Sequence, residues 1–261
     1  MEAPTERIVV GSGPAAREIA VIRRTGGIPG LFWLGGFHSD MLGTKARAVD
    51  AFAAERGLAV TRFDYSGHGQ SGGVFTDGTI TRWLEESRAV FDRCTEGPQV
   101  VIGSSMGGWL ALLLADALRH EGASRIAGIV LIAPAVDMTR ALMWEQMKPA
   151  ARRKLMAEGQ IARPSEYDGD GYVITKSLIE DGDRHLFGDR LIEPGCPVHI
   201  LQGQRDPDVP WRHSAGLVER LASDDVVLTL VKDGDHRLSR PEDLEKLNAA
   251  IAGIIEEAAH P

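Results

Sequence analysis

From residue 99 onward, short and nearly unbroken apolar runs alternate with stretches of helical spacing, and nothing else in the sequence restricts the fold so much. Residues 99–103 and 126–133 read as buried strands with an apolar helical stretch, 109–118, between them. Residues 197–202, 209–221, 226–231 and 241–258 then repeat the order strand, helix, strand, helix. Strands that are apolar on both faces need cover on both, and crossover helices supply it. The pattern therefore predicts an α/β fold with a mostly parallel central sheet flanked by helices.

The residues before 99 fit the same plan. Residues 8–10 and 18–23 flank the turn Gly11-Ser12-Gly13-Pro14 and read as an antiparallel pair. Residues 31–34 end in Gly35-Gly36, residues 44–56 carry Ala46, Val49, Phe52 and Ala53 at helical spacing before Gly57, and 58–65 and 81–94 follow as strand and helix. The alternation breaks once, across residues 135–195, where helical and loop signals appear, including a Gly- and Asp-rich loop at 168–171, but no convincing core strand. That is too long for a simple connection. It reads as a small helical cap, 135–195, inserted in a single domain spanning 1–261.

With 261 residues, 43% hydrophobic and 25% charged, the chain can bury one sizeable core without a disulfide or a structural metal. Cys94 and Cys196 stand far apart without ligand spacing, so a reducing compartment, no metal and no cofactor are expected. A formal charge of −8 argues against a nucleic acid partner. The first residues hold Glu2 and Glu6 and no basic segment leading into an apolar stretch, and no apolar run reaches the roughly 18 residues of a membrane span. The expectation is a cytoplasmic protein without stable membrane insertion, its oligomeric state left open.

The pattern G-x-S-x-G marks a strained strand-to-helix turn that exposes a nucleophilic serine. It occurs twice, as Gly69-Gln70-Ser71-Gly72-Gly73 and as Gly103-Ser104-Ser105-Met106-Gly107. Only the second follows a strand directly and opens a helix, so Ser105 is the candidate and Ser71 reads as a loop serine. A serine hydroxyl needs a base oriented by a carboxylate. Among His38, His68, His120, His185, His199, His213, His236 and His260, His236 follows the last strand, at the end of the sheet where ligands bind. His120 and His260 read as solvated helix ends, His199 as a strand residue and His213 as a helix residue, whereas His38 and His68 fall on loops at the ligand-binding end. Asp206 and Asp208 compete for the acid; spacing to Val209-Pro210 favours Asp206, and Asp208 suits a helix start. The oxyanion needs two backbone donors: Met106 supplies one by position, and Phe37, after Gly35-Gly36, is assigned the other, although the two glycines also suit a plain tight turn.

These residues resemble the serine α/β-hydrolases, through Ser105, Asp206, His236 and the stretch Phe63-Asp64-Tyr65-Ser66-Gly67-His68-Gly69-Gln70-Ser71. Within that family the likeness is to acyl-protein thioesterases and acyl-glucuronide esterases, carried by Gly43-Thr44-Lys45-Ala46, Gly107-Gly108-Trp109-Leu110, Val209-Pro210-Trp211 and Asp235-His236-Arg237. The resemblance implies an eight-stranded sheet, a small helical cap, and hydrolysis of thioesters or oxygen esters (the EC 3.1 class, depalmitoylation included) through an acyl-enzyme on Ser105. The mitochondrial address of such thioesterases is not carried over. Met138, Met143, Met147 and Met156 fall in the insertion and suit either a pocket for variable acyl chains or simple packing; His38, Met143, Trp144 and Met147 are the pocket candidates. Fold and triad do not fix the leaving group. An amide, lactone or carbon–carbon bond is the alternative, and a non-catalytic ligand-binding protein the second.

Overall fold

The computed structural model describes residues 3–163, 171–222 and 225–259. His260 and most of the loop expected at 168–171 lie outside them. The chain opens with β1 (Thr5–Val10), β2 (Arg17–Arg24), β3 (Gly27–Leu34), α1 (Thr44–Arg56), β4 (Leu58–Phe63), α2 (Ile80–Cys94), β5 (Gln99–Ser104), α3 (Met106–His120) and β6 (Ile126–Ile132). After residues 133–197 it resumes with β9 (Val198–Gly203), α6 (Trp211–Arg220), β10 (Val226–Val231) and α7 (Pro241–Ala259). Eight strands form one sheet in the order β1-β2-β4-β3-β5-β6-β9-β10. The pairs β1/β2 and β2/β4 are antiparallel and the rest parallel, so β2 alone runs against the others. This is the mostly parallel, helix-flanked sheet that the alternation predicts.

Period-two alternation divides the core. Leu31, Val60, Val100, Ile102 and Val130 face α1 and α7, where Val49, Phe52, Leu247 and Ile251 meet them. Phe32, Leu34, Val101, Leu131 and Ile200 face the other way, toward Trp83 and Phe91 of α2 and Trp109 and Leu110 of α3. Each fully buried aliphatic or phenyl side chain contributes about 1.5–3 kcal/mol, and α3 has hardly any exposed face. That is why its sequence reads as almost unbroken Leu and Ala.

Residues 133–197, expected to hold helices and loops, also hold a pair of short strands. A π-helical turn (Thr139–Trp144) and α4 (Pro149–Glu158) lead into β7 (Gln160–Arg163), which pairs antiparallel with β8 (Tyr172–Thr175) before α5 (Lys176–Gly182). The hairpin is a correction to the helical cap. Its strands are only four residues long and largely half-buried or exposed, so they carry neither the apolar run nor the length that marks a core strand.

Candidate active site

Ser105 sits between the carboxyl end of β5 and the start of α3 with φ 53° and ψ −116°, a conformation that costs a residue with a side chain energy and persists only where its surroundings fix it. They do so here: Ser105 N–H donates to Ile132 O (2.8 Å), while Ser105 O accepts from Gly108 N (2.9 Å) and Ala135 N (3.0 Å). A Cβ on Gly107 would collide with the carbonyls of Leu34 and Gly35, so glycine is required for α3 to begin this close to β3. The helix starts at Met106, three residues before the sequence reading, because the two glycines belong to its first turn.

The imidazole of His236 bridges Ser105 and Asp206. Its Nε2 lies 3.1 Å from Ser105 Oγ and its Nδ1 2.8 Å from Asp206 Oδ2. The Asp206 side chain is fully buried and that of His236 is 17% exposed. Asp206 Oδ1 accepts the backbone N–H groups of Asp208 and Val209, each at 2.8 Å, which leaves Oδ2 to face the imidazole. Asp208 thus sits beside the acid rather than on the imidazole. Gln202, buried at the end of β9, was not visible as a site residue. Its Nε2 donates to Asp206 Oδ2 (3.1 Å) and Val209 O (3.0 Å), and its Oε1 accepts from Ser214 Oγ (2.6 Å). The signal was a polar residue next to the end of a largely apolar strand. Lys45 was also missed as a site residue: its Nζ donates to Arg237 O, tying α1 to the histidine loop, and burial pushes its amine down to about 8.

Met106, first in α3, has an N–H with no partner inside the helix. The loop after β3 packs directly beside Ser105: a Cβ on Gly36 would lie 3.4 Å from Ser105 Cβ. Phe37 follows, its ring edge-on to Phe75 (4.9 Å) and Tyr172 (5.3 Å). Asp206, Asp208 and His236 also offer ligand atoms within 4.8 Å of one another. A cation there would have to displace the hydrogen bonds that Asp206 already makes.

Beside Ser105 opens a cavity of about 700 Å³. Its lining includes the apolar residues Met138, Leu142, Met143, Val209 and Ala135 and the polar residues Ser39, Asp40, Thr44, Lys45 and Arg237. Of the pocket candidates, His38 and Met143 line it; Trp144 and Met147 do not. Trp144 is half-buried and packs against the core, with the guanidinium groups of Arg140 and Arg152 over its ring at 5.6 and 5.3 Å, and Met147 packs against the core as well. The π-helical turn puts Met143 at the cavity and leaves its neighbour out of the lining, whereas the sequence clusters them. Met156 is 43% exposed.

The other candidates fall where packing explains them. Ser71 Oγ donates to Asp64 O (2.6 Å) and accepts from Ala20 N (2.8 Å), which makes it a loop staple. His199 Nε2 meets Thr229 Oγ1 (2.9 Å), His213 Nε2 meets Val136 O (2.9 Å) and His185 Nε2 meets Thr81 Oγ1 (2.6 Å). His68 is buried behind the loop after β3 and does not line the cavity. Cys94 and Cys196 are free and buried, and burial pushes the Cys196 thiol up to about 12.

Strand order, the serine turn after β5 and the imidazole delivered after β10 define an α/β-hydrolase. Residues 34–169 match the family model described as serine aminopeptidase, S33. The chain is 35% identical over 240 residues to the mitochondrial palmitoyl-protein thioesterase ABHD10 of Mus musculus, covering 92% of this chain and 79% of that one. A crystal structure from Agrobacterium vitis S4 superposes with a TM-score of 0.94 at 48% identity, covering 98% of this chain and all of that one. The α/β-hydrolase domain-containing protein 10 from mouse superposes with a TM-score of 0.88 at 32% identity, covering 98% of this chain and 99% of that one. The chain belongs to the family of α/β-hydrolases that includes ABHD10.

Proposed function

We propose that this α/β-hydrolase cleaves carboxylic esters and thioesters through an acyl-enzyme on Ser105, in the manner of an acyl-protein thioesterase, within the EC 3.1 class. The observation that carries the reading is the unbroken line Ser105 Oγ, His236, Asp206, with contacts of 3.1 and 2.8 Å. In this reading His236 Nε2 takes the Ser105 proton as Oγ attacks the acyl carbon, and Met106 and Phe37 N–H groups receive the oxyanion. The thiol or alcohol leaves with that proton. Water, deprotonated by His236, then releases the acid and restores Ser105, while Asp206 keeps the imidazole proton on Nδ1. No step requires a metal or cofactor.

The apolar residues of the cavity lining take the acyl chain and the polar ones the leaving group. Residues 135–195 act as the cap over the acyl chain, with Met138, Leu142 and Met143 contributed from it. Depalmitoylation is the finer form of the proposal, supported by the thioesterase named among the relatives. No described helix is long and apolar enough to cross a membrane. A cytoplasmic address is part of the proposal, supported by two free, buried thiols that suit a reducing compartment; the relatives' mitochondrial name is theirs.

The test is a series of matched thioesters, oxygen esters and amides from acetyl to palmitoyl. Turnover of the thioesters and esters is expected, rising with chain length for thioesters, with Ser105→Ala losing on the order of 10⁶ in kcat while remaining folded. The amide arm answers the aminopeptidase description of the family model: amides turned over faster than esters would shift the reading to peptide or amide substrates. Undiminished turnover by Ser105→Ala would end it.

A further inference from the structure

The loop that carries the second oxyanion donor is held from behind by the segment following β4. His68 Nε2 accepts the backbone N–H of His38 at 3.1 Å, and its Nδ1 lies 3.2 Å from Ser66 O. Only the tautomer protonated at Nδ1 satisfies both contacts. Tyr65, Phe75 and Trp83 pack edge-on around the imidazole with ring centroids at 5.6, 5.1 and 5.3 Å, which leaves the ring one orientation. Burial pushes its pKa down to about 4, so it is a neutral acceptor throughout the neutral pH range.

The loop needs such support. His38 has φ 59°, in the left-handed region that residues with side chains seldom occupy. One peptide earlier, Gly36 O accepts from Ser39 Oγ at 2.8 Å and from Ser39 N at 3.3 Å. In a planar trans peptide the carbonyl and the N–H point in opposite directions. Fixing Gly36 O therefore also fixes the direction of the Phe37 N–H, and the bond from His38 to His68 fixes the next peptide.

We propose that His68 is a positioning residue for the reaction: through the His38 N–H it holds the Phe37 N–H in line with the oxyanion that develops on the acyl carbon at Ser105. It touches no substrate and exchanges no proton. The proposal rests on the assignment of Ser105 and Phe37 above.

Two substitutions separate this role from plain core packing. Leucine at 68 fills space without an acceptor, and glutamine offers an amide oxygen near the position of Nε2. Whole-protein His68→Leu is expected to lose about 10- to 100-fold in kcat, less than the full loss of an oxyanion donor, with KM changed by less than about threefold. The rate advantage of a para-nitrophenyl oxo-ester over its thiono analogue, which places sulfur where the oxyanion forms, should shrink in step, and His68→Gln should recover most of both. Wild-type kcat in His68→Leu, a loss of kcat with an unchanged oxo-to-thiono ratio, or a glutamine variant as poor as leucine would each overturn the proposal. Should His68→Leu not fold, Ser39→Ala reads the same ratio from the neighbouring peptide, and an unchanged ratio there counts against it. A fluorophosphonate that labels wild type but not Ser105→Ala establishes the nucleophile independently, so failure of the His68 proposal and failure of the Ser105 reading give different results.

Discussion

His68 turns a cost of burial into a fixed donor–acceptor pattern. Its pKa falls from 6.5 to about 4 because burial disfavours the imidazolium, with the backbone contact to Ser66 opposing and the neighbouring His38 adding to the drop. Between those two pH values the unfolded chain binds a proton that the folded chain refuses, so stability falls as pH falls through that window. The difference is worth about 3 kcal/mol at most. Urea unfolding of wild type and His68→Gln from pH 7 to pH 4 should show the variant's stability declining less steeply by that amount; parallel curves would contradict a buried neutral imidazole. His185, His199 and His213, also lowered by burial, titrate in both proteins and cancel. His68 was legible in the sequence only as a loop residue near the site. The strand and turn around Ser105 are written in local pattern, but the partner of a buried ring is a residue thirty positions away. Lys45 escaped for the same reason, its partner Arg237 lying far along the chain, whereas the partners of Gln202 are close in sequence and only the fold of the acid loop brings them onto its amide.

Among the elements, the loop that carries His68 depends on α2. Glu86, fully buried on that helix, receives Arg17 Nε at 2.6 Å on one carboxylate oxygen and the Ser66 N–H at 2.9 Å on the other. Removing one member of a buried pair leaves the other uncompensated, at a cost of about 3–5 kcal/mol. Arg17 keeps Glu85 and Ala15 O, each at 2.9 Å, so Glu86→Ala is expected at the low end, about 3 kcal/mol by urea denaturation. A change below about 1 kcal/mol would show that the pair does not anchor the loop. Element boundaries were legible where a breaker marks them: α1 runs Thr44–Arg56 as expected because Gly57, at φ 66°, ends it. They were misread where tertiary contacts decide. β4 stops at Phe63, since Asp64 turns its carboxylate to Met41 N and Gln70 N. Helix α6 begins at Trp211 rather than 209, because Val209 gives its N–H to Asp206. The β7/β8 hairpin left no trace because short, half-exposed strands lack a distinctive period.

For the whole molecule, the sheet sets the geometry. Ser105, Asp206 and His236 follow β5, β9 and β10 at one end of the sheet, and the parallel pairing of β5 with β6, β6 with β9, and β9 with β10 fixes their separations. A Cβ on Gly203 would collide with Asp235 O, so the acid-bearing and histidine-bearing loops approach backbone to backbone. This level was the most legible, because strand–helix alternation and the chain order of serine, acid and histidine are properties of the whole sequence. Cavity lining was the least, since it depends on how residues 133–197 fold back. The central claim is that Ser105 alone is the nucleophile of the site. The most direct measurement is reaction of the intact protein with a fluorophosphonate, followed by mass determination and peptide mapping. One adduct per chain, on the peptide bearing Ser105 and lost in Ser105→Ala, is the expected result; no adduct, or one on Ser71 or another residue that survives the substitution, would contradict it.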